Sequence, residues 1–227
     1  MQRMIENKSS KFGQRLFASF ALVIAASLLS GSTTVSAYQT ASNPPSTQTS
    51  QQATDDKPKD GEWRVISPTD ALATFMLPKK PKYVERTFPP VSNKPPVKVH
   101  LYRATVNDGK ESYVFGYHDL HKLPVNAAEI NRILEGAVRG SVGNVEGELL
   151  SNVTEIRFKK YPGRQFNYRY KHGEELYVVL ARVFVVGQRQ YQITSLSHES
   201  AYNEKLATNF LNSFKLVVLE NDEPPVP

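Results

Sequence analysis

The stretch Glu175–Val186 is apolar on both of its faces, with Leu176, Val178 and Leu180 alternating with Val179, Ala181 and Val183. A strand with one wet face alternates apolar and polar residues. One that is apolar on both sides belongs inside a sheet whose two faces are covered. This single segment therefore predicts a sheet with a layer on each side. Short Gly-containing turns flank it, Lys171-His172-Gly173-Glu174 before and Gly187-Gln188 after. They join residues 165–170, Glu175–Val186 and 189–195 into an antiparallel meander.

Further strands are expected at 63–66, 71–77, Lys82–Phe88, Val97–Val106, 111–118 and 149–158, with a last short one at 215–219. In the second of these, Ala73, Phe75 and Leu77 alternate with Thr74 and Met76. Two helices can supply the covering layers. The first starts at Asn126, a capping residue, with Glu129 three positions on and an apolar stripe of Ala127, Ile130, Leu134 and Ala137. It should end among Gly136, Gly140 and Gly143. The second follows Ser200 and runs to Ser213, with Tyr202, Leu206, Phe210 and Leu211 on its apolar side. Strands, helix, strands, helix and strand in that order describe an α+β domain, an antiparallel sheet sandwiched between α-helices.

Outside that domain the chain reads differently. Arg3, Lys8, Lys11 and Arg15 precede an apolar run from Leu16 to Leu29, and a small-residue segment closes on Val35-Ser36-Ala37. This is the layout of a secretory signal peptide over residues 1–37, with an uncleaved signal anchor as the alternative. Residues 38–61 are rich in Ser, Thr, Gln and Pro, then in Asp and Lys, and are expected to be a flexible linker. The domain is expected at 62–219, and the acidic, Pro-rich 220–227 is expected to be a disordered tail. The first 37 residues hold four of the 28 Lys and Arg and one of the 22 Asp and Glu, so the formal charge of +6 falls to +3 without them. A balance that mild does not point to nucleic acid as a partner. The absence of cysteine removes disulfides, thiol chemistry and Cys-ligated metals.

In the C-terminal half, a strand ending Ile156-Arg157-Phe158 meets the turn Tyr161-Pro162-Gly163-Arg164 and then Phe166. The strand pair Ala181–Tyr191 and the helix end Phe210-Leu211-Asn212-Ser213-Phe214-Lys215-Leu216 follow. This order resembles the PsbP-like superfamily, which includes the extrinsic subunit P of photosystem II, a Ran-binding nuclear import factor and exported bacterial proteins of unknown role. The resemblance implies the same sandwiched antiparallel sheet. It implies no activity, and Pro162-Gly163 is expected to form a type II turn.

Two constellations could carry chemistry. Residues 158–171 interleave basic and aromatic side chains, which makes Tyr161, Arg164, Arg169 and Lys171 the candidate ligand-binding set. Strand parity counts against a stacking platform there, because Phe166, Tyr168 and Tyr170 share one face and Arg169 and Lys171 the other. His118 and His121, beside Asp119, have the spacing of a partial metal site but need a third ligand from elsewhere. No nucleophile elbow or dinucleotide fingerprint occurs, and the carboxylate pairs Glu174/Glu175 and Glu146/Glu148 carry no acid–base signature, so no catalytic residue and no cofactor is assigned. The reading is an exported, non-catalytic binding or assembly domain acting on a protein or cell-envelope component outside the cytoplasm, reaching a membrane only through an uncleaved signal segment. The alternative is an exported hydrolase or metal-dependent enzyme with an unrecognised cleft.

Overall fold

The structure, a computed structural model, describes residues 62–89 and 95–217. The expected signal segment, linker and tail lie outside these residues. The described chain opens with β1 (Arg64–Ile66) and β2 (Ala73–Leu77), antiparallel to each other across a single 3-10 turn at Thr69–Ala71. Then come β3 (Lys82–Phe88), β4 (Val97–Val106), β5 (Glu111–Asp119) and helix α1 (Ala127–Gly143). The rest is β6 (Glu148–Leu149), β7 (Thr154–Phe158), β8 (Tyr161–His172), β9 (Glu175–Val186), β10 (Arg189–His198), helix α2 (Glu204–Asn212) and β11 (Lys215–Leu216).

One large antiparallel sheet runs in the order β3-β4-β5-β10-β9-β8-β6, with β7 also paired to β8. A second, three-stranded sheet is ordered β1-β2-β11. The two-sided strand β9 is interior, between β10 and β8, and both of its faces are packed. On one face Leu180 and Phe184 join Tyr113, Phe115, Tyr117, Tyr191 and Ile193 of the neighbouring strands. Covering them are Phe75 and Leu77 of β2, Phe210 and Leu211 of α2, and Phe214 just beyond it. The rings of Phe75 and Phe115 stack across this layer at 4.0 Å. On the other face Val179, Ala181, Val183 and Val185 pack with Phe166, Tyr168 and Tyr170 under Leu134, Ala137 and Val138 of α1.

The α+β class and the antiparallel sheet with two helices are as the sequence suggests. The covering layers differ in make-up: α1 lies on one face, whereas on the other α2 shares the work with the small sheet. The last strand pairs with β2 and does not close the main sheet, because Lys215 and Leu216 register against Thr74 and Ala73.

The helix starts are set by side-chain caps. Asn126 accepts from the amide of Glu129 at 2.9 Å, and the Glu129 carboxylate accepts from the amide of Val125 at 3.0 Å. Gly136 and Gly140 do not end α1; both are buried against the sheet, and the helix runs on to Gly143. The second helix begins later than expected, because Asn203, not Ser200, supplies the cap, accepting from the amide of Leu206 at 3.1 Å. Its buried side is Ala207, Phe210 and Leu211, with Leu206 turned out to solvent.

The clearest departure is at Tyr161-Pro162-Gly163-Arg164. These residues begin β8, with Pro162 opposite Arg157 and Gly163 opposite Ile156 of β7. The hairpin turn falls on Lys159 and Lys160, and Lys159 takes the left-handed conformation at φ 53°.

Candidate functional site

Pro162 has no N–H to give to a ladder. The β8–β9 pairing stops beside it, at Gly163 opposite Phe184, and Val185 and Val186 run on without a partner on β8. The gap left there opens into a cleft of about 700 Å³ at one end of the large sheet. Its walls come from the β9–β10 hairpin (Val185 to Arg189), the start of β8 (Tyr161, Pro162), the loop before α1 (Leu123, Pro124), Ile130, and Leu72 with Val217 from the small-sheet side. This volume is in the usual range for small-molecule and peptide-anchor sites.

The mouth is unusually apolar. Leu72, Leu123 and Val217 are 40%, 54% and 44% exposed, and Val125, two residues after Leu123, is 78% exposed. Leu72 is also held in the left-handed region, at φ 50° and ψ 34°, where a branched side chain costs about 1–2 kcal/mol. Its carbonyl accepts from the amide of Val217 at 2.9 Å, which fixes the two side chains next to each other.

Two of the three charged residues that line the cleft, Arg189 and Asp119, neutralise each other; the third, Lys160, has its ammonium 5.4 Å from the centre of the Tyr161 ring. Arg189 donates through Nε to Asp119 at 2.6 Å and through one terminal nitrogen at 3.2 Å, a two-point pair. Its other terminal nitrogen donates to the Asp70 carbonyl at 2.6 Å, and the guanidinium lies 4.7 Å from the centre of the Tyr117 ring. Tyr117 in turn donates to the Asp70 carboxylate, and Tyr191 donates to the carbonyl of Ala71 at 2.9 Å. The Tyr117 hydrogen bond lowers the pKa of Asp70. Such a mutually satisfied set positions the chain around the cleft and leaves its apolar walls as the surface on offer.

The residues singled out from sequence are distributed over the domain. Tyr161 lines the cleft. Arg164 points to the opposite face of β8, is only 8% exposed, and donates to Glu155 at 2.9 Å, Asn131 at 3.1 Å and its neighbour's carbonyl, that of Gly163, at 3.1 Å. It lines a second, more polar hollow at the start of α1. Arg169 and Lys171 lie exposed at the far end of β8, Arg169 paired to Glu148 at 2.8 Å. Phe166, Tyr168 and Tyr170 are buried under α1, so the four residues do not form one platform with those rings.

His118 lies on the α1 face at the end of β5, with burial as the main cause pushing its imidazole down to about 4, while His121 is exposed in the following loop. Among the described residues, no group of three His, Cys, Asp or Glu side chains gathers in a way that could hold a metal ion.

The cleft itself escapes a sequence reading. Leu123-Pro124-Val125 is a visible signal, an apolar cluster directly ahead of a helix cap. The Arg189–Asp119 pair becomes visible only once β10 is registered against β5.

No protein-family model matches the chain, and no curated protein matches it in sequence. Among solved structures it is similar to LpqN, a protein involved in cell envelope biogenesis of Mycobacterium tuberculosis. That likeness has 11% identity and a TM-score of 0.34, over 59% of this chain and 79% of that one. It is also similar to PA94 of Pseudomonas aeruginosa, a protein of unknown function, at 9% identity and a TM-score of 0.29, over 62% of this chain and 85% of that one. Both likenesses are distant.

Proposed function

We propose that this protein is an exported, non-catalytic binding domain of PsbP-like type, which holds an aliphatic part of a partner protein or cell-envelope component in the end cleft. One observation carries the reading. Leu72, Leu123 and Val217 stand exposed around a largely apolar cleft, and two of its three charged residues, Arg189 and Asp119, are paired to each other. Exposed aliphatic side chains grouped at one mouth mark an interaction site, whereas scattered ones need no explanation. The left-handed Leu72 adds support, since backbone strain in a bulky residue persists where function holds it. Export is supported by the basic head, apolar run and Val35-Ser36-Ala37 ending of the first 37 residues.

The test places a photo-crosslinking amino acid at Leu123 and, separately, at Lys205 on the exposed side of α2, in the native host. The Leu123 probe should give a discrete adduct in the envelope fraction that Val217→Asp abolishes, and the Lys205 probe none. Equal adducts from both positions, or none from Leu123, would overturn the cleft. Recovery of the protein from the cytosol with Met1 intact would overturn export.

A further inference from the structure

A third hollow, of about 270 Å³, lies over β3 and β4 and shares no lining residue with the cleft. Its floor is the partly exposed Val84 over the buried Leu101 and Val114, and its rim is Lys79, Lys80, Lys82, Arg86 and Arg103. No acidic side chain lines it, and none of the five cations makes an ion pair among the described residues. Strand parity explains the segregation. Glu85 of β3 faces the other side of the sheet, where it pairs with Lys98 at 3.0 Å.

Lys82 and Arg103 are direct partners in the β3–β4 register. Like charges opposed across two strands destabilise the pair. A lysine on an edge strand guards against strand-to-strand aggregation, and Lys82 alone would do that. Edge protection does not account for Arg103, which is half-buried on the inner strand. Arg103 is oriented as a receptor group would be: its Nε donates to Thr105 Oγ1 at 2.8 Å, and Thr105 is held in turn by Ser112 at 3.0 Å. The two terminal nitrogens are left without an acceptor among the described residues. A planar fork of two free N–H donors suits a phosphate, and the surrounding lysines act as point charges.

We propose that this hollow binds the phosphate headgroup of an anionic phospholipid, with the first part of the glyceryl-acyl moiety resting on Val84 and the aliphatic stems of the surrounding lysines and arginines. Phosphate alone, or a peptide of acidic residues only, would leave Val84 and those stems in water. A molecule carrying an anion and an aliphatic part side by side satisfies both. The site stands independently of the end cleft, and its test reads different residues.

The experiment titrates the full chain with dihexanoyl phosphatidylglycerol below its micelle concentration and follows backbone amide shifts. Dihexanoyl phosphatidylcholine, inorganic phosphate and a hexaglutamate peptide serve as the other arms. Saturable shifts centred on Val84, Leu101 and Arg103 are expected with the anionic lipid, at an affinity at least tenfold above that of the zwitterionic one. Lys80→Glu with Lys82→Glu should weaken binding at least tenfold. Lys205→Glu with Lys215→Glu, the same charge change on the opposite face, should leave it within twofold. Equal response to the two lipids, equal loss in the two double variants, or shifts centred elsewhere would overturn the proposal. Inorganic phosphate or hexaglutamate binding as tightly as the lipid would overturn it too, in favour of a bare anion site or an acidic protein segment.

Discussion

Gly163 of β8 lies so close against Phe184 of β9 that the space holds no further carbon. A Cβ on Gly163 would fall 2.5 Å from Cδ1 of Phe184 and 2.6 Å from the carbonyl oxygen of Val183. Overfilling a packed site of this kind costs about 1–3 kcal/mol. Gly163→Ala should lower the urea midpoint accordingly. Adding Phe184→Ala should not restore it, because the Val183 carbonyl belongs to the backbone and cannot give way. Restoration in the double variant would place the whole conflict on the ring.

Phe210 is fully buried, edge-on to Tyr113 at 5.3 Å and near Trp63 at 6.2 Å. Its truncation removes the centre of the layer that α2 lays over the sheet. Phe210→Ala should cost about 3–5 kcal/mol, against roughly 0.5 kcal/mol for Leu206→Ala, whose side chain faces water on the same helix. Thermal melts of the two variants compare them directly. Equal losses would mean that the helix is docked by a different face.

His118 gives stability a defined pH dependence. Burial holds its folded-state value at about 4, below the 6.5 of a free imidazole, with Asp119 opposing that shift and His121 adding to it. Between these values the unfolded chain binds more protons than the folded one, so stability rises with pH across this window. His118's contribution is present in full above pH 6.5 and is lost as pH falls toward 4, by up to about 3 kcal/mol. Denaturant midpoints of the wild type and His118→Gln should diverge in slope between pH 6.5 and 4 and run parallel from pH 7 to 8. Identical slopes across the acid window would remove His118 from the account.

Arg164 and Glu155 form an unequal pair, since the side chain of Arg164 is 9% exposed and that of Glu155 80%. The arginine also ties β8 to α1 through Asn131. Arg164→Ala leaves Asn131 without its donor and opens space under the helix. It should destabilise by about 1–3 kcal/mol, whereas Glu155→Ala should stay within about 1 kcal/mol. A double-mutant cycle that gives the ion pair the larger share would reverse this ranking.

Much of the scaffold is legible because strand parity is a local property. Lys82–Phe88, Val97–Val106 and Glu175–Val186 fall where alternation and turn residues put them. The failures are places where a distant neighbour overrides a local signal. Pro162-Gly163 looks like a turn, yet Pro162 sits where no ladder bond is made and Gly163 is demanded by Phe184 from the next strand. The single strand expected at 149–158 divides into β6 and β7, because Leu150 and Ser151 bond to Asn167, the amide of Leu150 at 3.0 Å and the Ser151 hydroxyl at 2.5 Å. The end cleft draws on segments from Leu72 to Val217, so periodicity within any one of them does not reveal it.

The loop ahead of α1 and the tip of the β9–β10 hairpin exchange two hydrogen bonds. The Leu120 amide donates to the Gln188 carbonyl at 2.7 Å, and the Gln188 side chain donates to the Leu120 carbonyl at 2.8 Å. Two walls of the cleft are thus tied to each other. An occupant meets a shape that already exists and forfeits little conformational entropy on entry. Association at such a site should be a single kinetic phase, with an on-rate that scales linearly with ligand concentration and a negative heat-capacity change from the aliphatic surface it covers.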